Sequence, residues 1–193
     1  PHMHLAEACL VAFEALADEQ FIETAREIIG LFRRRFFDGR TLGETFASDW
    51  TRTDTTVEPG HHFEWAWILG EFHRLTGEDI SSLAVAVSDF TERYGVDPAS
   101  GAVYDAIDVS GSVTRSSARV WTSTERLKGA LALFELTGKD PRPALARTLD
   151  LIFDRYLAGQ IPGLWVDQFD GQGVPISMAV PASCVYHLFL AFA

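Results

Sequence analysis

The fold is decided by the stretch His73-Arg74-Leu75-Thr76-Gly77-Glu78-Asp79 and by its near copy Glu135-Leu136-Thr137-Gly138-Lys139-Asp140. In each, an apolar helical pattern stops at Leu-Thr-Gly, where glycine suits the left-handed residue that ends a helix. The aspartate that follows suits the cap of a new helix. Each stretch therefore predicts two helices joined by a tight turn. A third turn ends at Asp18, and the three aspartates are evenly spaced along the chain, which indicates a repeated helical hairpin.

Apolar residues at helical spacing surround the three turns. Leu5, Cys9 and Leu16 fall on one face of a first helix, and later helices are predicted at residues 61–75, 80–94, 118–136, 141–157 and 181–193. Long loops at 38–60, 95–117 and 158–180 separate the hairpins, with strand-like pieces at 101–105 and 163–168. Loops of this length in a compact domain are usually functional. The pattern predicts an all-α fold of about three and a half helical hairpins.

Composition narrows the class of protein. The chain has 193 residues, is 47% hydrophobic and carries a formal charge of -11, so we expect one globular domain over residues 1–193 that repels nucleic acid. No apolar run reaches the roughly 18 residues that a membrane span needs. Cys9 and Cys184 lie in apolar helical patterns, which favours a reducing compartment and a cytoplasmic location. Because the chain begins and ends inside helical patterns, we expect it to be part of a longer one.

The segment Glu58-Pro59-Gly60-His61-His62-Phe63-Glu64-Trp65-Ala66-Trp67 is the richest in chemically useful groups. His61 and Glu64 are neighbours on one helical face, and a carboxylate beside an imidazole orients it and raises its basicity. This pairing predicts a general acid–base near neutral pH. The alternative is an ordinary helix start, with Glu64 favoured in the first turn by the helix dipole.

Further polar residues recur on the first helix of each hairpin. His4 and Glu7 repeat the spacing of the first pair, and His187 lies in the last apolar helix, where it could also be a satisfied core histidine. The helix predicted at residues 118–136 begins with Arg119, Trp121 and Glu125. These residues resemble a hydroxyl-binding wall, or simply the start of an amphipathic helix. If the first helices line one inner wall, these side chains converge on one pocket.

Four segments in this order resemble the N-acylglucosamine 2-epimerase superfamily of sugar epimerases and isomerases. The resemblance covers nearly the whole chain and is most similar to the mannose or mannose-6-phosphate isomerase-type members. The segments are Pro1-His2-Met3-His4-Leu5-Ala6-Glu7-Ala8, Pro59-Gly60-His61-His62-Phe63-Glu64-Trp65-Ala66-Trp67, Arg119-Val120-Trp121-Thr122-Ser123-Thr124-Glu125 and Pro181-Ala182-Ser183-Cys184-Val185-Tyr186-His187.

The resemblance implies an α/α toroid of about six hairpins, of which this chain is roughly the C-terminal half. It implies that His61 and His187 are the acid–base pair, that Glu64 supports His61 and that His4 is a third pocket histidine. Trp67 and Trp121 are expected to form aromatic walls. We expect Arg119 and Glu125 to bind substrate.

This implies a sugar isomerase or epimerase acting at C1 and C2 of an aldose. A histidine would remove the proton beside the carbonyl, and the ene-diol intermediate would be reprotonated at C1 or C2. The substrate is a small sugar or sugar phosphate (mannose, an N-acylglucosamine or N-acylmannosamine, or a phosphate ester). No metal and no cofactor are expected, and a homo-oligomer is possible because an open stack of hairpins exposes apolar edges.

Other classes of function remain open at this point. A metal-dependent enzyme is one, since His2, His4, His61, His62 and Glu64 together resemble a ligand set. A noncatalytic sugar-binding or scaffold module is another, because a fold can outlive its chemistry. An α/α-toroid glycoside hydrolase is the third. It needs two carboxylates that face each other across a pocket, for which Glu64 and Glu125 are the candidates.

Overall fold

The computed structural model describes residues 2–159, 161–176 and 179–193; Pro1, the first residue of the quoted segments, lies outside them. Within these residues the fold consists of helical hairpins joined by loops that carry short strands. The helices are α1 (His2–Leu16), α2 (Glu19–Leu31), α3 (Pro59–Thr76), α4 (Ser81–Tyr94), α5 (Val120–Thr137), α6 (Arg142–Leu151) and α7 (Cys184–Phe192). Single π-helical turns extend α2 over Phe32–Phe36 and α6 over Ile152–Tyr156.

The three tight turns are confirmed. Gly77 and Gly138 end α3 and α5 in the left-handed conformation, with φ of 72° and 73°. Asp18 caps α2 by accepting a hydrogen bond from the backbone N–H of Gln20. The all-α hairpin architecture expected from these turns is therefore the observed one, although α7 begins at Cys184 rather than at residue 181.

The strand positions predicted from the sequence were only partly right: Val103 forms an isolated antiparallel bridge with Val96, and Gln168 begins a strand. The strands are β1 (Thr56–Val57), β2 (Ala106–Asp108), β3 (Val113–Arg115), β4 (Ala118–Arg119) and β5 (Gln168–Phe169). They form an antiparallel sheet in the order β1-β2-β3 and an antiparallel pair β4-β5. Strands of two or three residues are too short to show a period-2 pattern, so tertiary pairing decides where they lie.

Two glycines allow the central helices α3 and α5 to pack closely. A Cβ atom at Gly129 would lie 3.0 Å from the carbonyl oxygen of Phe63, and one at Gly70 would lie 2.7 Å from Cβ of Ala132. Such close approach fixes the relative position of the two helices, because packed interiors leave little room to shift. The residues that α3 and α5 present at their N-terminal ends are therefore held in a defined relation.

The helices form two layers. The first helices of the hairpins, α1, α3, α5 and α7, pack side by side in one layer, and α2, α4 and α6 pack behind them. One apolar core lies between α1, α2, α3 and α4 around Phe32, Trp65 and Leu69, and a second lies around Val120 and Tyr156. The two outermost helices of the first layer expose apolar side chains, among them Leu16 on α1 and Phe189 on α7.

No helix in the described parts of the chain is long and apolar enough to cross a membrane.

Candidate active site

The first layer brings the expected histidines to one place. The indole ring of Trp121 at the start of α5 packs against two imidazoles, with ring centroids 5.4 Å from His61 on α3 and 5.2 Å from His187 on α7. Tyr186 places its hydroxyl 3.5 Å from Nδ1 of His4 on α1. Side chains from all four first helices are therefore neighbours, as the hairpin repeat predicts. That they share one substrate pocket stays a prediction.

His187 is held by a buried carboxylate. Its Nδ1 lies 2.6 Å from Oε1 of Glu125, whose side chain is fully buried. Lys128, one turn further along α5, places Nζ 2.8 Å from Oε2 of Glu125. Burial raises the pKa of Glu125, while the hydrogen bond from His187 and the charge of Lys128 oppose that rise. With Nδ1 directed at a carboxylate, Nε2 of His187 is the nitrogen free to accept a proton.

These contacts leave no exposed surface on Glu125. One of its oxygens faces His187 and the other faces Lys128. Glu125 is placed to orient His187, and its role in substrate binding stays a prediction. Lys128 was not singled out in the sequence, although its position three residues after Glu125 is the spacing of a helical ion pair.

His61 is held by a carboxylate from a loop. Its Nδ1 lies 2.8 Å from Oε2 of Glu44, and Oε1 of Glu44 accepts a hydrogen bond of 3.0 Å from the backbone N–H of Glu58. Burial disfavours the charged imidazole, but the hydrogen bond to Glu44 and the carboxylates of Glu58 and Glu64 outweigh it and raise the pKa of His61. The raised pKa favours a protonated His61 near neutral pH.

Glu64 acts on His61 through its charge and not through the direct contact that helical spacing suggested. Glu64 is only 1% exposed, and its Oε1 lies 3.3 Å from Nδ1 of His4 instead. Helical spacing allows the His61–Glu64 contact, but the burial of α3 turns Glu64 inward toward α1 and α5. Glu44 takes its place, and it was missed because the loop that carries it has no periodic pattern.

His4 is a half-exposed imidazole among carboxylates. Its Nδ1 lies 3.3 Å from Glu64 and 3.5 Å from Glu7. The hydrogen bond to Glu64, followed by that to Glu7, raises the pKa of His4 to about 10. His4 is therefore an imidazolium at neutral pH, a fixed positive charge at the edge of the pocket.

A cavity of about 390 Å³ opens beside these groups. Both His4 and His61 line it, together with Glu44 from the loop of residues 37–55. The rest of its wall is largely aromatic, and the residues Phe36, Phe46 and Trp50 form a contiguous cluster with ring centroids 5.3 to 6.5 Å apart. Trp50 holds a left-handed φ of 68°, a strained conformation for a large side chain that often marks functional sites. Aromatic faces of this kind suit the apolar faces of sugar rings.

The two remaining sequence candidates have protein partners. Lys128 Nζ lies 4.0 Å from the ring centroid of Trp67, so one face of that indole is covered. Arg119 donates a 3.0 Å hydrogen bond to the buried Asp105 and lies over the ring of Trp121 at 5.3 Å. The substrate-binding roles of Trp67 and Arg119 stay predictions.

The ligand set considered for a metal does not assemble. His62 is fully buried, and both of its ring nitrogens are used by backbone groups, at 2.6 Å to the carbonyl of Val87 and 3.0 Å to the N–H of Leu42. Two other groups in the described residues have ligand atoms within 4.8 Å of one another: His4, Glu7 and Glu64, and Glu64, Glu125 and His187. In both, the carboxylates already have imidazole partners, and Lys128 supplies further positive charge.

The sequence of the chain is similar to that of known sugar isomerases and epimerases. Residues 1–191 match the family model of N-acylglucosamine 2-epimerase. The chain is 33% identical over 203 residues to a mannose-6-phosphate isomerase of Rhizobium meliloti, covering 99% of this chain and 52% of that protein. It is 25% identical over 177 residues to a cellobiose 2-epimerase of Bacteroides fragilis, covering 85% of this chain and 43% of that protein.

Solved structures show the same fold. A crystal structure of a D-mannose isomerase superimposes with a TM-score of 0.90 at 18% identity, covering 98% of this chain and 54% of the other. The chain thus spans about half the length of the relatives it matches.

Proposed function

The chain belongs to the N-acylglucosamine 2-epimerase family, and we propose that it carries the proton-transfer residues of a sugar isomerase or epimerase that acts at C1 and C2 of an aldose. One observation carries the proposal: two imidazoles pack against the ring of Trp121, and each has a carboxylate at Nδ1. This arrangement leaves two Nε2 atoms to exchange protons with a bound sugar.

The proposed reaction starts from the open-chain aldose, whose C2–H is weakly acidic beside the carbonyl. Nε2 of His187 removes this proton, and Glu125 stabilises the imidazolium that results. Protonated His61 then returns a proton, which the raised pKa makes available near neutral pH. The charge of the ene-diolate is balanced by the nearby imidazolium of His4, a fixed group that needs no rearrangement during the reaction.

The site of reprotonation decides the product. Return of a proton to C1, with transfer of the O2 hydroxyl proton to O1, gives the 2-ketose, which is isomerisation. Return to C2 from the opposite face gives the epimer. The proton left on His187 passes to solvent, and His61 takes one up before the next turnover. Two histidines that both pack against Trp121 are compatible with both outcomes. The relatives named above include both kinds of enzyme.

The charges around the site favour an unphosphorylated sugar. A phosphate would need a free cationic clamp. Arg119 pairs with Asp105 at 3.0 Å, Arg115 with Glu58 at 3.2 Å, and Arg52 lies 3.9 Å from each of two aspartates. No arginine or lysine of the described residues lines the cavity, where Glu44 offsets the charge of His4 and His61, so we propose a neutral aldose such as mannose as the substrate class.

Glycoside hydrolysis fits the geometry less well. A hydrolase places a sugar between its two carboxylates, with one free to act as acid. Oxygens of Glu64 and Glu125 lie within 4.8 Å of each other and of His187, and both side chains are buried behind the histidines. They are placed to orient imidazoles and not to reach opposite faces of a glycosidic bond.

Proton NMR of the intact protein in heavy water tests the proposal. The panel consists of mannose, glucose, N-acetylmannosamine and N-acetylglucosamine, together with the 6-phosphates of mannose and glucose. We expect one neutral sugar to gain deuterium at C1 or C2 while a ketose or epimer appears. Exchange confined to a phosphate ester would overturn the substrate class, and the absence of exchange with every sugar would overturn the reaction.

A further inference from the structure

The unusual feature of this site is that one histidine depends on a loop. Glu44 lies in the segment of residues 37–55, between the π-helical turn after α2 and strand β1. We propose that His62, the neighbour of His61 on α3, is a positioning residue that fastens this loop and thereby keeps Glu44 against the imidazole of His61. The inference rests on the proposed function only in so far as His61 is an acid–base group.

The partners of His62 define its protonation state. The backbone carbonyl of Val87 can only accept a hydrogen bond, so Nδ1 of His62 must carry the proton in the 2.6 Å contact. The backbone N–H of Leu42 can only donate, so Nε2 must be the acceptor in the 3.0 Å contact. His62 therefore links α3, α4 and the loop as a neutral imidazole. Burial agrees with this, since it lowers the pKa of His62 to about 4.

The path from His62 to His61 is short. Leu42 is itself buried and lies two residues before Glu44, and the N–H of Gly43 between them donates to the carbonyl of Phe36 at 2.8 Å. Two residues of chain leave little slack, so fixing the Leu42 amide fixes where the Glu44 carboxylate can reach. Glu44 then spans the N–H of Glu58 and Nδ1 of His61.

Several charged groups surround the two histidines. His61 faces the carboxylates of Glu44, Glu58 and Glu64, and the uncharged ring of Trp121 packs on it from α5. His62 interacts electrostatically with Glu44, His61 and Arg52. Among the groups around His61, Glu44 is the one whose position depends on the loop and the one that hydrogen-bonds to the ring. Its displacement should lower the pKa of His61.

Two substitutions of His62 separate this role from simple stability. The amide of glutamine reaches the position of Nε2, so His62→Gln keeps an acceptor for the Leu42 N–H and loses the donor to Val87. The amide of asparagine reaches only the position of Nδ1, so His62→Asn keeps the donor to Val87. It loses the acceptor for the Leu42 N–H, and we call that hydrogen bond the latch on the loop. Each variant gives up one buried hydrogen bond, so their melting temperatures should fall by similar amounts.

The test is a nitrogen-15 NMR titration of the His61 imidazole in the intact protein, which needs no substrate. We expect the pKa of His61 to fall in Glu44→Gln, to fall as far in His62→Asn, and to stay near the native value in His62→Gln. Where a substrate has been found, turnover of His62→Asn should drop about 10-fold, the scale of one charge-assisted hydrogen bond, with the acid limb of its pH profile shifted. Equal pKa values of His61 in the two His62 variants would overturn the latch.

A measurement on the unaltered protein covers the case in which His62→Asn does not fold. The nitrogen-15 shifts of His62 at neutral pH should show a proton on Nδ1 and none on Nε2. A proton on Nε2, or a doubly protonated ring, is incompatible with a hydrogen bond from Leu42 and would overturn the proposal. Neither NMR result depends on whether any sugar is turned over, so failure of the latch and failure of the proposed function are distinguishable.

Discussion

The two imidazoles beside Trp121 are held in different ways. His187 on α7 takes its carboxylate from Glu125 on the adjoining helix α5, and both groups are buried. His61 on α3 takes its carboxylate from Glu44, which lies on a long loop and is 13% exposed. Both contacts are short, 2.6 Å and 2.8 Å, yet one joins two packed helices and the other joins a helix to a loop.

The two histidines therefore differ in how firmly their carboxylate partners are fixed. Helix packing sets the geometry of the Glu125–His187 pair, and a buried Lys128 balances its charge. The Glu44–His61 pair depends on how the loop is fastened, so the properties of His61 can change without any change in the helices. In the proposed reaction, this difference allows the pKa of His61 to be tuned through the loop without any change in the helix packing that holds His187.

The largest effect expected is that of removing either histidine. His187→Ala and His61→Ala should each reduce turnover of the sugar substrate by at least about 100-fold, the usual scale of general acid–base catalysis. Both variants should keep their helical circular-dichroism spectrum, because apolar cores that do not include either ring hold α3 and α7 in place. Near-native turnover in one variant would remove that histidine from the mechanism.

Substitution of the two carboxylates should distinguish the rigid pair from the loop-borne one. Glu125→Gln leaves Lys128 buried without a counter-charge and should destabilise the protein by about 3 kcal/mol. Glu44→Gln, at a less buried position with no lysine partner, should cost about 1 kcal/mol and act mainly by lowering the pKa of His61. Urea unfolding of both variants measures the difference. Equal losses of stability would mean that the two pairs are anchored alike.

The pH dependence of stability should reveal the buried neutral His62. Its pKa of about 4 in the folded protein lies below the ordinary histidine value of 6.5, which applies when the chain unfolds. Between these values the unfolded chain binds a proton that the folded protein does not, so stability falls as the pH drops from 6.5 to 4. The contribution is about 3 kcal/mol. The free energy of unfolding is measured at both ends of this range in the native protein and in His62→Gln. The difference between the two pH values should be smaller in the variant by this amount. An unchanged difference would contradict a buried neutral ring.

The smallest effect is expected at Arg115. Its side chain is 53% exposed and pairs with Glu58 at 3.2 Å, so Arg115→Ala should change stability by less than about 1 kcal/mol. It should also leave KM for a neutral sugar unchanged, since we place no phosphate beside it. A rise in KM confined to a sugar phosphate would show that the arginine does serve as an anion clamp.

Local signals in the sequence were sufficient for the hairpins. Gly77 and Gly138 end their helices in the left-handed conformation, and this signal depends on the local sequence and not on distant contacts. The repeat then placed His4, His61, Trp121 and His187 on neighbouring helices, and the structure confirms that side chains of these helices are neighbours. The two- and three-residue strands could not be located, because their pairing depends on residues far along the chain.

The partners of the histidines were harder to predict than the histidines themselves. Spacing on a helix shows which contacts are possible, and His61 with Glu64 was one of them, but packing turned Glu64 toward His4. Glu44 sits in an irregular loop, where neither period nor spacing points to a distant imidazole. A contact between a loop residue and a helix residue far along the chain, such as Glu44 with His61, leaves no local pattern in a single sequence.

Exchange of the C2 hydrogen in single-histidine variants tests the central account most directly. Once the substrate is known, His61→Ala and His187→Ala are each incubated with the sugar in heavy water, and loss of the C2 proton signal is followed by NMR. The account predicts slow but measurable exchange in His61→Ala, which retains the base, and none above the uncatalysed rate in His187→Ala. Equal exchange in the two variants, or exchange only in His187→Ala, would contradict the assignment of His187 as the base held by Glu125.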